Sequence, residues 1–156
     1  MIQILDAAKK KKFISKIDYL GVKKIPHLLI QTGKERIIGF SGSLAREEIG
    51  ELCRLLSVEG IGLYFAKDTL EGMRLSVDAL HFLKEQIKGH IIELNEAQEK
   101  EWFLGKNIVL NEEQKEKLKD VKGFVAVKAG EDFIGTGRKS GDAINNFLPK
   151  ERRRRS

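Results

Sequence analysis

A single cysteine in 156 residues, Cys53, leaves the chain without a partner for an internal disulfide and without a thiolate cluster for zinc. Histidine is almost as scarce. His27, His81 and His90 are scattered, and none stands at metal-ligand spacing from a second histidine or a carboxylate. These residue types lead us to expect neither a metal nor any other cofactor. No apolar run approaches the roughly 20 residues that a membrane-spanning helix needs. The opening Met1-Ile2-Gln3-Ile4-Leu5 lacks the charged-then-apolar layout of a secretory signal, so a cytoplasmic location is expected. Acidic residues are abundant but fall on helical faces or in turns. No nucleophile, acid and base stand in a recognisable constellation, so no catalytic residue is assigned and the chain is not expected to be an enzyme.

Charge is what the sequence has in quantity. Lys and Arg number 29 against 23 Asp and Glu, for a net charge of +6 and a pI near 9.4. A basic balance favours polyanionic partners, because each phosphate neutralised releases condensed counterions. Much of the excess lies in two runs, Lys9 to Lys12 and Arg152 to Arg155. The remaining composition, 41% hydrophobic, suffices for a packed core in one ordinary domain or two small ones.

Periodicity divides the chain near residue 84. Phe13, Ile14, Ile17 and Leu20 recur at helical spacing over 6–20, and Gly21 is a natural stop. Apolar runs at 27–31 and 36–40 around Thr32-Gly33-Lys34 read as a hairpin. Ser43 is the expected N-cap of a helix over 44–57, which aligns Ala45, Ile49, Leu52, Cys53 and Leu56 on one face. Strands at 61–65 and 73–77 and a short helix at 78–83 complete an α/β unit. In the second half, 91–94 reads as a strand. Asn95 with Gln98 forms a capping-box signature for a helix to Phe103, and 108–110 is a short strand. The highly charged stretch 111–122 reads as a solvated helix or loop. Strands at 123–127, 133–138 and 143–148 then make a mostly β unit, short enough to be a small barrel.

Two motifs invite chemistry and have simpler explanations. Gly135-Thr136-Gly137-Arg138 resembles a phosphate loop in composition, but no helix follows it, so a bend in a tight barrel or close approach of RNA backbone is the expected role. Cys53, on the apolar face of its helix, is expected to be a core residue. The run Asn145-Asn146-Phe147-Leu148-Pro149-Lys150-Glu151-Arg152-Arg153-Arg154-Arg155 carries the strongest signal. Arginine suits phosphate because its planar fork donates two hydrogen bonds at once and is always charged. A flexible, solvated tail is the alternative reading for the arginines, and a core position is the alternative for Phe147.

The order Phe103-Leu104-Gly105-Lys106-Asn107-Ile108-Val109-Leu110, then Gly123-Phe124-Val125-Ala126-Val127, then Ile134-Gly135-Thr136-Gly137 resembles the core of a PUA domain, a module of RNA-modifying enzymes. The stretch Met73 to Leu83 resembles a segment of the Nip-seven family of ribosome-biogenesis factors, in which a pre-PUA domain precedes a PUA domain. Ile134 to Arg138, taken with Asn146 to Arg153, is also similar to the PUA-like tail of Nol/Nop/Sun-type RNA 5-methylcytosine methyltransferases. That family's Pro-Cys motif and a Gly-rich loop for S-adenosylmethionine are not found in these 156 residues.

These resemblances imply an α+β protein, with an N-terminal α/β pre-PUA-like domain over 1–84 and a small mixed β-barrel PUA domain over 85–156. They imply a non-catalytic RNA-binding role in ribosome assembly or in rRNA or tRNA maturation. The alternative is an accessory subunit that docks onto a separate methyltransferase or pseudouridine synthase. The expected RNA contacts are Lys106, Lys128, Arg138, Lys139, Lys150, Arg152, Arg153, Arg154 and Arg155, with lysines 9–12 as a possible further contact or a solvated face.

Overall fold

Leu29 and Ile30 are neighbours in β2 (Leu28–Thr32), and Ile37 and Ile38 are neighbours in β3 (Arg36–Phe40). Successive strand residues point to opposite faces, so two consecutive apolar residues require a sheet covered on both sides. The computed structural model, which describes residues 2–55 and 62–155, has such a sheet. β1 (Ile2–Ile4), β2, β3, β4 (Leu63–Thr69) and β5 (Gly72–Leu75) pair antiparallel in that order. Leu29, Ile37 and Phe65 pack on one side with Phe13, Ile17, Leu80 and Leu83. Ile30 and Ile38 pack on the other side with Ile49 of α2 (Arg46–Leu55).

Local sequence explains how these elements start and stop. Asp6 caps α1 (Ala7–Ser15) by accepting the Lys9 amide at 2.8 Å. The helix expected over 6–20 breaks here: α1 ends at Ser15 and a separate 3-10 turn spans Asp18–Leu20, a break that leaves both Ile17 and Leu20 buried. α2 begins at Arg46, and it is Glu48 that reaches back to the Ala45 amide, at 2.6 Å, in place of the cap expected from Ser43. Residues 56 and 57 of that expected helix, and Ile61 of the expected strand, lie outside the described residues. β4 runs on to Thr69, which pairs with Gly72, so Leu70 and Glu71 alone form the turn. Ser76 caps α3 (Val77–Phe82), accepting the Ala79 amide at 3.1 Å.

The second sheet curls into a half-barrel. β6 (Ile91–Glu93) lies parallel to β8 (Gly123–Ala129), which is followed across the sheet by β9 (Asp132–Ser140), β10 (Ala143–Asn146) and β7 (Ile108–Val109), all antiparallel. Trp102 of α4 (Glu96–Phe103) fills its interior with Val125, Val127, Ile144 and Leu148, and donates its indole N–H to the Ile134 carbonyl at 3.1 Å. Gly135 and Gly137 are required by this packing. A Cβ at Gly135 would stand 2.8 Å from the Trp102 ring, and one at Gly137 2.3 Å from Ile144. The Gly-Thr-Gly run therefore makes room for side chains of the barrel's own interior, where a bend or an approach of RNA backbone had been expected. The architecture is α+β, an α/β unit followed by a small mixed β unit.

The charged stretch 111–122 departs from a purely solvated element. It contains α5 (Glu112–Lys117), capped by Asn111 and Gln114 in a second capping box with the same Asn-x-x-Gln spacing as Asn95 and Gln98. The two glutamine amides are buried against each other and exchange reciprocal 2.9 Å hydrogen bonds. Each donates its second N–H to a strand carbonyl, Gln98 to Val109 at 3.0 Å and Gln114 to Glu93 at 2.8 Å. Each also accepts from its own cap amide, Asn95 or Asn111. Every donor and acceptor of the pair is thus satisfied, which is what makes its burial tolerable. Gln114→Ala leaves Gln98 and the Glu93 carbonyl short of partners and is expected to cost about 1–3 kcal/mol. In urea denaturation, the Gln98→Ala/Gln114→Ala double variant should lose less than the sum of the two singles.

His27 closes the apolar side of the first sheet. Its ring centroid lies 5.8 Å from that of Phe65 and 4.8 Å from that of Phe82, and its carbonyl accepts the Lys10 ammonium at 2.7 Å. Burial, aided by the nearby Lys10 charge, holds the imidazole below its ordinary pKa. The unfolded chain therefore binds the proton more readily, and the stability that neutral His27 confers is lost as pH falls from about 6.5 through the depressed folded value. The melting temperature of the wild type should fall more between pH 7 and pH 5 than that of His27→Gln.

Candidate nucleic-acid interface

The C-terminal arginines are not a free tail. Lys150–Arg152 form a 3-10 turn after Pro149, and the Arg154 amide returns to the Phe103 carbonyl at 2.6 Å. Arg152 grips both carboxylate oxygens of Asp78 on α3, at 3.0 and 2.9 Å. The Arg153 side chain crosses Gly105 and donates its Nε–H to the Leu148 carbonyl at 3.0 Å. The Arg154 guanidinium lies 4.8 Å over the Phe103 ring. The segment is a strap across the end of α4 and α3, with Lys150 and Arg155 exposed upon it.

Asn146 connects the strap to Lys106. Its side-chain amide donates to the Trp102 and Lys106 carbonyls, both at 2.9 Å, and its oxygen accepts the Leu148 amide at 2.8 Å. Its backbone amide donates to Asn107 at 3.0 Å. The exposed Lys106 is thereby held beside the exit of β10, where the strap begins. Lys106, Lys150 and Arg152 to Arg155 thus share one end of the second unit.

The other expected contacts are dispersed. Arg138 pairs with Glu71 of the β4–β5 turn. Lys128 lies 5.5 Å over the Phe133 ring at the turn end of the β8–β9 hairpin. At the opposite end, Lys139 donates to the Leu118 carbonyl at 2.6 Å, where the carbonyls at the end of α5 favour a cation. These nine cations therefore do not make a single patch.

One participant was absent from the sequence reading. Arg74, facing outward on β5, places its guanidinium 4.7 Å over Phe147, whose other neighbour, Phe124, meets it edge-on at 5.8 Å. Phe147 is half-buried, between the core position and the stacking position considered for it. The alternation Met73-Arg74-Leu75 marked Arg74 as outward-facing, but its partner is more than 70 residues away in sequence.

A cleft of about 460 Å³ opens between α3 and the strap, lined by Val77, His81, Phe103, Asp132, Leu148 and Arg152 among others. His81 Nε2 is engaged with the Phe133 carbonyl at 2.7 Å. The cleft brings together no nucleophile with a free base. Among the described residues, no three His, Cys, Asp or Glu side chains could hold a metal together. Cys53, half-buried, packs against the Ile30, Ile38 and Ile49 cluster.

Comparison with known proteins bears on the same region. Residues 90–154, from the residue before β6 to the strap, match the family model of the methyltransferase RsmF PUA domain. The second unit is a PUA domain resembling the tail of these methyltransferases. The chain is 26% identical over 105 residues to the ribosomal RNA small subunit methyltransferase F of Vibrio cholerae serotype O1, in strains M66-2 and ATCC 39315 (El Tor Inaba N16961) alike. The aligned stretch is 67% of this chain and 21% of each methyltransferase, so the chain spans about a fifth of their length. Because it exceeds the extent of the PUA match, the likeness continues into the N-terminal half. Of the two resemblances read from sequence, the one to the Sun-type tail is the one these matches support.

The strap's ion pair is half exposed on both sides and should be modest in energy. A double-mutant cycle on Arg152→Ala and Asp78→Ala is expected to give a coupling of about 0.3–1 kcal/mol in thermal or urea unfolding, decreasing with salt.

Proposed function

We propose that this chain is a non-catalytic RNA-binding protein that acts on ribosomal RNA, in ribosome assembly or rRNA maturation, through its PUA domain. The observation that carries this reading is the PUA match over 90–154, which includes the arginine strap. The similarity to a ribosomal RNA small subunit methyltransferase favours rRNA over other polyanions.

The strap suits phosphate binding for a physical reason. A guanidinium carries five N–H donors, and the intramolecular contacts of Arg152, Arg153 and Arg154 occupy only some of them. Side chains already held in place lose less conformational entropy when phosphate arrives. Lys106, Lys150 and Arg155 add exposed charge beside them. The dispersed Arg138, Lys128 and Lys139 contribute field more than direct contact. Contacts of this type position folded RNA by its backbone and shape, with little reading of base edges.

Fluorescence anisotropy with labelled small-subunit rRNA fragments, tRNA and duplex DNA, across a salt series, tests the proposal. RNA should bind at least about tenfold more tightly than DNA, with a steep salt slope, and Arg152–Arg155→Ala should weaken binding and flatten that slope. Incubation with RNA and S-adenosylmethionine should transfer no methyl group. Binding of RNA no better than DNA would sink the RNA reading and favour a subunit that docks onto a separate RNA-modifying enzyme.

A further inference from the structure

The surplus charge of this chain lies outside the PUA domain. Residues 1–44 contain nine Lys and Arg against three Asp and Glu, a surplus of six that equals the net charge of the whole chain. Residues 45–84 contain five against seven, and residues 85–156 fifteen against thirteen. Five of the N-terminal lysines are exposed on α1 and on the segment that follows its 3-10 turn, two stretches that one hydrogen bond ties together. Lys9, Lys11 and Lys12 are exposed on α1, and the Lys10 ammonium ties that helix to the His27 carbonyl. Lys23 and Lys24, also exposed, are held at the start of the same segment. Both of their amides donate to the Gln86 side-chain oxygen, at 2.9 and 3.0 Å, and the Lys24 carbonyl accepts from the Gln86 amide at 2.8 Å. Among the described residues, none of Lys9, Lys11, Lys12, Lys23 and Lys24 has a carboxylate partner, whereas the cations of α4 and α5 are paired.

The first turn of α1 departs from the pattern of the other helices. The N-terminal end of a helix is its positive end, and α2, α3, α4 and α5 each place acidic residues in their first turn. α1 has none there, and Lys9 and Lys10 occupy that turn. Asp6 caps the helix and Lys12 lies in its last turn, so the mismatch is confined to the first-turn lysines, and a local breach of this kind at the exposed Lys9 is expected where a surface serves a partner. The observations favour a polyanion over a lipid surface. An interfacial helix needs an exposed apolar face, but Phe13 of α1 is buried in the core, and the exposed large hydrophobics lie on other elements.

We propose that the face formed by Lys9, Lys11, Lys12, Lys23 and Lys24 is a second RNA-binding surface that grips the phosphodiester backbone of the folded RNA held by the PUA domain. This rests on the RNA-binding reading above. The lysines supply the larger, salt-sensitive share of affinity, and the strap supplies oriented contacts.

The test uses the full chain and a labelled small-subunit rRNA fragment over a salt series. The five-site variant Lys9→Gln, Lys11→Gln, Lys12→Gln, Lys23→Gln, Lys24→Gln should bind about tenfold or more weakly near 0.15 M salt. Its slope of log affinity against log salt should be smaller by about 2 or more. The loop variant Lys23→Gln/Lys24→Gln, which leaves α1 untouched, should show a smaller loss in the same direction. A control, Lys100→Gln/Lys117→Gln/Lys119→Gln, should match the wild type. Melting temperatures of both test variants at or above the wild-type value exclude misfolding as the cause, since like charge has been removed. If the wild type binds RNA and both test variants bind it unchanged, this proposal falls alone. If the wild type binds no RNA, the functional reading falls with it. Preference of the wild type for phosphatidylcholine vesicles containing phosphatidylserine over RNA would also overturn it.

Discussion

The β8–β9 hairpin is buried on both faces, and the remaining structure is arranged around that fact. Val125 and Val127 point into the barrel with Trp102 and Ile144, while Ala126 and Phe133 belong to the core of the first unit. Two polar contacts fasten the second face: Thr136 donates its hydroxyl to the Leu75 carbonyl at 2.8 Å, and His81 engages the Phe133 carbonyl. A hairpin with two apolar faces cannot be left half covered without exposing a large hydrophobic surface. The α/β unit is therefore needed to complete the PUA domain, and the similarity to the methyltransferases that extends beyond the PUA match is understandable in those terms.

This shared wall also determines where cations end up. Arg138 points to the first-unit side of β9 and meets Glu71, and Arg152 reaches Asp78 across the same junction. Arg74 reaches back the other way to Phe147. The charged side chains at the seam thus contribute to cohesion as well as to surface potential, each exposed pair modestly. Away from the seam, Lys10 ties α1 to the His27 carbonyl, while Lys9, Lys11 and Lys12 have no carboxylate partner among the described residues, so charge composition and charge availability differ between the two halves.

Local chemistry read well where a signal and its consequence were adjacent. Asn95 and Gln98 announced the start of α4, and the hairpin at 28–40 followed from two apolar runs around a short turn. The same Asn-x-x-Gln spacing at Asn111 and Gln114 was equally present and was overlooked, because the surrounding run of charge suggested a solvated element. Gln114 is buried for a reason that lies outside its own helix: its amide completes the hydrogen bonds of Gln98. The single helix expected over 6–20 was wrong for a similar reason, since its apolar spacing does not reveal that Ile17 and Leu20 are buried around a break.

The sequence by itself determined the order of elements, most of the helix caps and the distribution of net charge. These depend on interactions within a few residues or on composition, and both can be counted along a chain. Only the tertiary structure decided which cations are engaged. Asp78, Glu71 and Phe103 stand roughly 50 to 75 residues from the arginines they hold, and strand order, not spacing, brings them together. A run of four arginines looks the same in sequence whether it trails in solvent or folds into a strap. Its role is set by the surface on which the last strand of the barrel deposits it.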